Sequence, residues 1–239
     1  VQEGTMVACE KEEEGLRERW VALCAALGVE EAIRDEWWRR IAEGYEEEGR
    51  HYHTLHHLHL MFRHYDAAVN KLSQPHLVSA AIFFHDLVYV PTSGTNEEDS
   101  AVLFSEFAEA TNLEEADVQR AFDWIVETKT HEVEAEQDGR DNDKTLLFDM
   151  DLSIFGESRE EYARYAHNVR LEYQHVPDAI FYEKRPEVME HFLPGEKKEF
   201  IYHSPFFRAS LEEVAKENVV WEVAALKEKG NALKEEKAG

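Results

Sequence analysis

Cysteine is nearly absent from this sequence, since Cys9 and Cys24 are the only two among 239 residues. That number is too low for a disulfide scaffold of this size, and neither cysteine has the spacing of a thiolate metal site. Soft-metal sites built on thiolates are therefore excluded. The same scarcity favours a reducing, cytoplasmic location.

Long hydrophobic runs are also missing from the chain. No stretch approaches the roughly 18 apolar residues that a transmembrane helix requires, so we expect no membrane span. The first residues are acidic and contain no apolar core of the kind found in signal peptides, so we expect no secretory signal.

Basic residues are too few to balance the acidic ones. The chain has 26 Lys and Arg against 51 Asp and Glu, which gives a net charge of −25 at pH 7. Such a field repels polyanions at long range, so duplex DNA, long RNA and anionic membranes are poor partners. A small phosphorylated substrate is still compatible, because a buried metal and a few basic side chains act strongly at short range.

Strand signals are absent, and the apolar residues recur instead at helical spacing. The expected helices cover residues 16–27, 33–45, 51–70, 76–89, 95–110, 113–129, 158–175, 179–193 and 210–229. Capping boxes mark three of these starts: Thr95 with Glu98, Ser158 with Glu161, and Ser210 with Glu213.

The pattern predicts one all-α bundle over residues 1–239. Hydrophobic residues make up 43% of the chain, which is enough for one packed core. We expect helices within residues 10–49 to pack on the rest of the bundle and residues 231–239 to be frayed. Residues 132–144 are charged and contain Gly139, which predicts a mobile flap.

Groups that bind metals are concentrated in three segments. Five histidines fall within nine residues: His51, His53, His56, His57 and His59. A His85–Asp86 pair follows in an apolar stretch, and Asp149 and Asp151 come later. On a helix, His53 and His57 share one face, whereas His85 and Asp86 lie about 100° apart at one edge.

A buried Asp86 needs a compensating positive charge. Residues 80–89 contain no Lys or Arg, and burying an unpaired carboxylate costs several kcal/mol, on the order of the usual penalty. A divalent cation would supply the charge, and two imidazoles with two carboxylates suit Mn, Fe, Ni, Zn or Mg. We therefore expect these segments to meet around one metal ion, with His56, His59 and His64 outside it.

The order His57, His85–Asp86, Asp151 resembles the HD superfamily of metal-dependent phosphohydrolases, over residues 50–222 of the chain. More narrowly, the chain resembles a group of uncharacterised bacterial and eukaryotic HD proteins. The positions that match the signature of this group are Arg50–His57, Phe84–Asp86, Asn96–Glu97, Ser100–Ala101, Thr128–His131, Phe148–Leu152, Arg170, Glu172–Tyr173, Glu213 and Asn218. The resemblance implies an HD-type helical bundle with His57, His85, Asp86 and Asp151 as metal ligands. It also implies that Asp149 orients a ligand histidine or a water.

The segment Tyr52-His53-Thr54-x-x-His57 is similar to the Tyr-His-Asn-x-x-His segment of cyclic-nucleotide phosphodiesterases. This resemblance implies that His53 protonates the leaving oxygen. Some HD proteins hold two metals with two additional histidines before the last Asp, but only His131 lies in that interval here. One divalent metal ion is therefore expected, with His131 as the candidate ligand for a second metal or for phosphate.

The remaining site residues follow from the same resemblance. Glu97 is the second candidate for proton transfer, or alternatively a first-turn acid that favours the helix dipole. The candidate cations for the substrate phosphate are Arg50, Lys129, Arg170 and Arg185, each of which could instead form an ion pair within the protein. Aromatic residues that could stack on a base or belong to the core are Tyr52, Tyr89, Trp124, Tyr173 and Tyr182.

The expected activity is metal-dependent hydrolysis of a small phosphoester, with a nucleotide as the favoured substrate. Two alternatives are left open. One is an HD-type iron oxygenase at the same site. The other is a noncatalytic, metal-stabilised module that binds nucleotides, although the presence of His53 and Glu97 favours an enzyme.

Overall fold

The computed structural model describes residues 2–134, 140, 142–195 and 198–238, with side chains from residue 11 to residue 236 of these. The described residues form α-helices and two short 3-10 helices, and no strand, which confirms the all-α prediction. The α-helices are α1 (Gln2–Ala26), α2 (Glu31–Tyr45), α3 (Leu55–Ala68), α4 (Pro75–Phe84), α5 (Asn96–Ala108), α6 (Glu115–Glu127), α7 (Asp143–Asp151), α8 (Arg159–Glu172), α9 (Asp178–Glu190) and α10 (Pro205–Ala238). The 3-10 helices cover Val69–Lys71 and Leu152–Gly156.

Helix α4 is the centre of the bundle. All its residues from Leu77 to Phe84 are buried, and it packs against α1, α3, α5, α6 and α7. Pro75 begins the helix, a position where its missing N–H costs nothing. The helix ends at Phe84, five residues before the predicted end, so His85 and Asp86 lie in the turn that follows it.

Large aromatic rings join the N-terminal helices to this centre. Trp20 of α1 lies with its ring centroid 4.9 Å from that of Phe107 and 5.2 Å from that of Phe83. Its indole nitrogen donates to the Arg34 carbonyl at 2.8 Å, which connects α1 to α2. Residues of α1, α2 and α4 therefore belong to one buried core.

The predicted caps agree with the structure only in part. Ser158 accepts from the Glu161 amide as expected, whereas Thr95 makes no side-chain cap hydrogen bond. The predicted cap at Ser210 is wrong, because α10 begins at Pro205 and continues to Ala238, past the predicted end at 229. Ser204 caps it instead, with its hydroxyl accepting from the Phe207 amide.

The predicted flap covers residues that the structure describes only in part. Residues 135–139 and 141 lie outside the described residues. Asp143 and Lys144 belong to the buried start of α7, so the flap prediction is wrong for them. Asn142 forms a capping box with Thr145 at the start of α7. The usual sequence pattern of a capping box does not predict it, because Thr replaces the Glu or Gln three residues after the cap. In the described part of the chain, no helix has the length and apolar character needed to cross a membrane.

Candidate metal centre

Three helix ends meet at one buried point of the bundle. His57 lies in the first turn of α3, His85 directly follows α4, and Asp151 is the last residue of α7. The Nε2 atoms of the two histidines lie 3.1 Å apart, and Asp151 Oδ1 lies 3.1 Å from His57 Nε2 and 3.6 Å from His85 Nε2. This group could hold a metal ion.

Asp86 lies at the edge of this group. Its Oδ2 atom is 3.1 Å from His85 Nε2 and 3.8 Å from His57 Nε2. The expected separation of 100° around one helix is wrong, because both residues of the His85–Asp86 pair lie beyond the end of α4. The turn achieves the same result, since it directs both side chains to one point.

The donor atoms of the centre fit a cation. His85 Nδ1 lies 2.9 Å from the Ile82 carbonyl, which can only accept, so Nε2 of the neutral ring carries a lone pair. That lone pair faces Asp86 and Asp151 in a buried position, where like partial charges repel strongly. A positive charge relieves this repulsion, either as a second proton on His85 or as a divalent cation among the four side chains.

The pKa shifts of His85 and Asp151 also indicate that the centre favours a positive charge. Burial lowers the pKa of His85, but the charges of Asp86 and Asp151 outweigh burial and raise it well above its ordinary value. Burial acts to raise the pKa of Asp151, but His85 and the hydrogen bond from His131 hold it well below its ordinary range. Burial acts to raise the pKa of Asp86 as well, but His85 and His53 hold it below its ordinary range, so both carboxylates are ionised and provide hard oxygen ligands.

A second buried carboxylate, Glu172 at the end of α8, lies beside His53. Glu172 Oε2 lies 2.8 Å from His53 Nδ1 and accepts from the Tyr89 hydroxyl at 3.0 Å. Its Oε1 accepts from the main-chain amides of His51, Tyr52 and His53. Burial acts to raise the pKa of Glu172, but the hydrogen bond from His53 and those from the main chain lower it to about 2.

His53 is held over the metal centre by these contacts. It precedes the N-cap Thr54 and does not lie on α3, so the predicted shared helix face with His57 is wrong. Its ring stacks on Tyr89 with centroids 4.1 Å apart, and its Nε2 lies 4.0 Å from Asp86 Oδ2. Burial lowers the pKa of His53, but the bond to Glu172 and nearby carboxylates raise it above its ordinary value.

The Arg50 guanidinium has its hydrogen bonds inside the protein. It donates to the carbonyls of Asp86 and Leu87 at 2.7 Å and to that of His53 at 3.2 Å. Its Nε is buried and has no hydrogen-bond partner among the residues that the structure describes. Arg50 thus connects the His85–Asp86 turn to the segment that carries His53. Its predicted contact with substrate stays a prediction.

Two other predicted cations lie in ion pairs within the protein. Arg170 donates to Asp178 and to the carbonyls of Tyr173 and Val176, which connects the end of α8 to the start of α9. Arg185 donates from Nε to Glu222 at 2.9 Å and from a terminal nitrogen to the Tyr165 hydroxyl at 2.7 Å. These arrangements agree with the ion-pair alternative.

Lys129 and Glu97 lie near each other at the start of α5. The Lys129 ammonium contacts Glu98 at 2.7 Å and Glu97 at 3.7 Å, and its side chain is 37% exposed. Glu97 occupies the first turn of α5, as the helix-dipole alternative predicts. Its predicted role in proton transfer stays a prediction.

His131 is brought to the centre by an unusual backbone conformation. It has a φ of 52°, and its Nε2 lies 2.8 Å from Asp151 Oδ2. His203 supports it by donating from Nε2 to the His131 carbonyl at 2.7 Å. The contact with Asp151 makes His131 available as a further ligand or as a support for Asp151.

Asp149 accepts hydrogen bonds from the segment that leads into α10. It accepts from the amides of His203 and Ser204 at 2.8 and 2.7 Å and from the Ser204 hydroxyl. Burial raises its pKa to about 7 against these hydrogen bonds. Asp149 therefore holds the chain that begins α10. None of these contacts is to a proposed ligand histidine, and the predicted role of Asp149 in orienting a water stays a prediction.

The aromatic candidates fall into different environments. Tyr52 and Tyr89 contact His57 and His53 at the metal centre. Trp124 belongs to the core, which agrees with the second alternative, and it borders a separate cavity of about 470 Å³ between α6 and the start of α7. Tyr173 stacks on His175, while Tyr182 lies under the Lys229 ammonium.

Comparison with known proteins finds no matching family model, no matching curated protein and no matching solved structure. What this centre can do therefore follows from its own donor atoms and their geometry.

Proposed function

We propose that the protein is a metal-dependent phosphohydrolase of the HD superfamily, acting on a small phosphoester such as a nucleotide. The observation that supports this most is the His53–Glu172 pair, placed 4.0 Å from Asp86 at the edge of the metal-binding group. A metal site with a purely structural role has no need of a further imidazole, paired with a buried carboxylate, at its edge.

His57, His85 and Asp151 would hold the metal, with Asp86 as the fourth ligand. Two nitrogen and two oxygen donors suit Mn, Fe, Ni, Zn or Mg and leave positions for water and substrate. A divalent cation bound there would lower the pKa of water and polarise a phosphoryl oxygen. Asp86 and Asp151 are 17% and 14% exposed in their side chains, so solvent reaches the carboxylate side of the centre.

His53 would act as the general acid. Its Nδ1 hydrogen is donated to Glu172, and its Nε2 is directed toward the carboxylate side of the centre. Although burial acts to lower the pKa of His53, the hydrogen bond to Glu172 and the nearby carboxylates raise it above its ordinary value, which favours the ring that carries a second proton. That proton on Nε2 can pass to the oxygen of the leaving group, and Glu172 stabilises the cation until then.

Lys129 is the candidate cation for the substrate phosphate. The Lys129 side chain is 37% exposed. The side chains of Arg50, Arg170 and Arg185 are 2%, 22% and 14% exposed, and their guanidinium groups donate to acceptors within the protein. The Lys129 ammonium contacts Glu98 and the Gly94 carbonyl, and a phosphate oxygen could replace the exposed Glu98 carboxylate as its partner.

The experiment begins with chelated protein reloaded with Mn²⁺, Mg²⁺, Zn²⁺, Ni²⁺ or Fe²⁺ and assayed on nucleotides, sugar phosphates and a chromogenic phosphoester. Phosphate release should require metal. His53→Asn should lower turnover about 10²- to 10⁴-fold while metal still binds. His56→Asn is the matched control, since His56 is 43% exposed and bonds to Glu12.

Three other outcomes would overturn the proposal. Absence of metal-dependent release from every ester would remove the hydrolytic activity. Nucleotide binding without turnover would instead support the noncatalytic module. Oxygen uptake by protein loaded with reduced iron, without phosphate release, would support the oxygenase.

A further inference from the structure

The two histidines of the metal centre are oriented by different kinds of partner. His85 Nδ1 contacts the main-chain carbonyl of Ile82 at 2.9 Å. His57 Nδ1 contacts the hydroxyl of Tyr52 at 3.1 Å, and both side chains are buried. The orientation of His57 therefore depends on a side chain that a single substitution can change.

A hydroxyl at this position matters for a histidine that binds metal through Nε2. The neutral ring then carries its hydrogen on Nδ1 and donates it to the Tyr52 oxygen. Such a partner fixes the tautomer and the ring plane and increases the basicity of the ligand nitrogen. Its removal leaves a buried N–H without an acceptor and lets the ring turn about its χ2 angle.

Tyr52 is itself held from several sides. Its amide donates to Glu172 of α8 at 2.7 Å. Its ring meets the ring of Tyr165 edge to face, with centroids 4.6 Å apart. The Tyr165 hydroxyl accepts from Arg185 of α9, which pairs with Glu222 of α10. Residues from the last three helices thus fix the hydroxyl that contacts His57.

We propose that Tyr52 is the positioning residue for His57 and that it sets the metal affinity of the centre through the His57 Nδ1 hydrogen bond. This inference rests on the proposed metal centre. Tyr52 does not contact the metal-binding nitrogen. It acts on the orientation of His57, and the packing on Tyr165 keeps its hydroxyl in place.

The test is Tyr52→Phe, which removes one oxygen and keeps the ring. The dissociation constants for Zn²⁺ and Co²⁺ are measured by competition with a chromogenic chelator. The constants should rise about 10- to 100-fold, and the visible spectrum of the Co²⁺ form should change. The melting temperature of the chelated variant should stay close to that of chelated wild type.

Tyr65→Phe is the matched control. It removes a phenolic hydroxyl that donates to the Pro75 carbonyl at 3.1 Å, on the far part of α3. Metal affinity and the Co²⁺ spectrum should stay unchanged in this variant.

Two results separate this inference from the proposed function. If wild type binds metal and Tyr52→Phe binds it equally with the same Co²⁺ spectrum, the positioning role is wrong and the centre stands. If wild type binds neither metal, the centre itself is wrong.

A measurement on the wild type covers the case in which Tyr52→Phe does not fold. Nitrogen-15 NMR of histidines in the Zn²⁺ form should show hydrogen on Nδ1 of His57 and zinc on Nε2. A His57 ring that lacks hydrogen on Nδ1 would overturn the inference.

Discussion

Arg50 donates to the main-chain carbonyl of Asp86 at 2.7 Å, and so holds a proposed metal ligand by its backbone. The guanidinium also holds Leu87 and His53, and its side chain is only 2% exposed. Arg50→Lys replaces a planar fork with a single ammonium, which cannot reach all three carbonyls. We expect a loss of about 2 kcal/mol in the free energy of unfolding, measured in urea, and weaker metal binding.

Kinetics of the same variant test the role that the sequence implied. A substrate contact predicts a higher KM in Arg50→Lys with an unchanged free energy of unfolding. That combination would contradict the structural role. Arg39→Lys is the control for the substitution itself, because Arg39 pairs with Glu43 on the exposed face of α2.

Glu172 predicts a pH-dependent contribution to stability. Its pKa falls from 4.5 to about 2 on folding, which corresponds to roughly 3 kcal/mol at most. Because the folded pKa is the lower one, this stability is present above pH 4.5 and is lost as the pH falls toward 2. Urea unfolding of chelated protein should show Glu172→Gln less stable than wild type at pH 6, with the difference shrinking by pH 3.

The difference between the two proteins is the quantity to follow, since the chain has 51 acidic residues including Glu172, and other carboxyl groups also titrate in this pH range. A constant difference from pH 6 to pH 3 would show that ionised Glu172 does not stabilise the fold. Glu213→Gln is the control, because the side chain of Glu213 is 86% exposed and pairs with Lys216 on the surface of the same helix.

Asp151 and Asp149 are expected to respond differently to the same substitution. Metal at 100 times its dissociation constant stabilises a protein by about 2.7 kcal/mol, which raises the melting temperature by about 5–10 °C at this size. Asp151→Asn should abolish this rise because it removes an ionised ligand. Asp149→Asn should keep the rise but lower the melting temperature of both forms, since Asp149 holds Ser204. An equal rise in wild type and Asp151→Asn would argue against Asp151 as a ligand.

Two glycines should respond in opposite directions to replacement by alanine. A Cβ at Gly156 would lie 2.6 Å from Leu211 Cβ and 2.9 Å from the Tyr202 hydroxyl, so Gly156→Ala should destabilise by about 1–3 kcal/mol. A Cβ at Gly15, inside α1, meets nothing within 4 Å, so Gly15→Ala should stabilise by up to about 1 kcal/mol. Thermal unfolding measures both, and a stable Gly156→Ala would contradict the packing at the end of the 3-10 helix.

The helices could be predicted from the sequence where the spacing of nearby apolar residues determines them. Residues 33–45 and 95–110 were expected to be helical, and α2 and α5 cover Glu31–Tyr45 and Asn96–Ala108. The predicted ends failed where distant side chains take over main-chain groups. Helix α4 stops early at the turn whose carbonyls Arg50 binds, and α10 starts early at the Ser204 that Asp149 holds.

The sequence by itself determined the helical class of the fold and the residues that could bind a metal, because apolar spacing and residue type are properties of short segments. Only the tertiary structure decided which of these residues meet and which partners tune them. Glu172 lies 119 positions from His53, and Asp151 lies far along the chain from His57. Contacts over such distances leave no periodic pattern, since they depend on how the helices pack around α4.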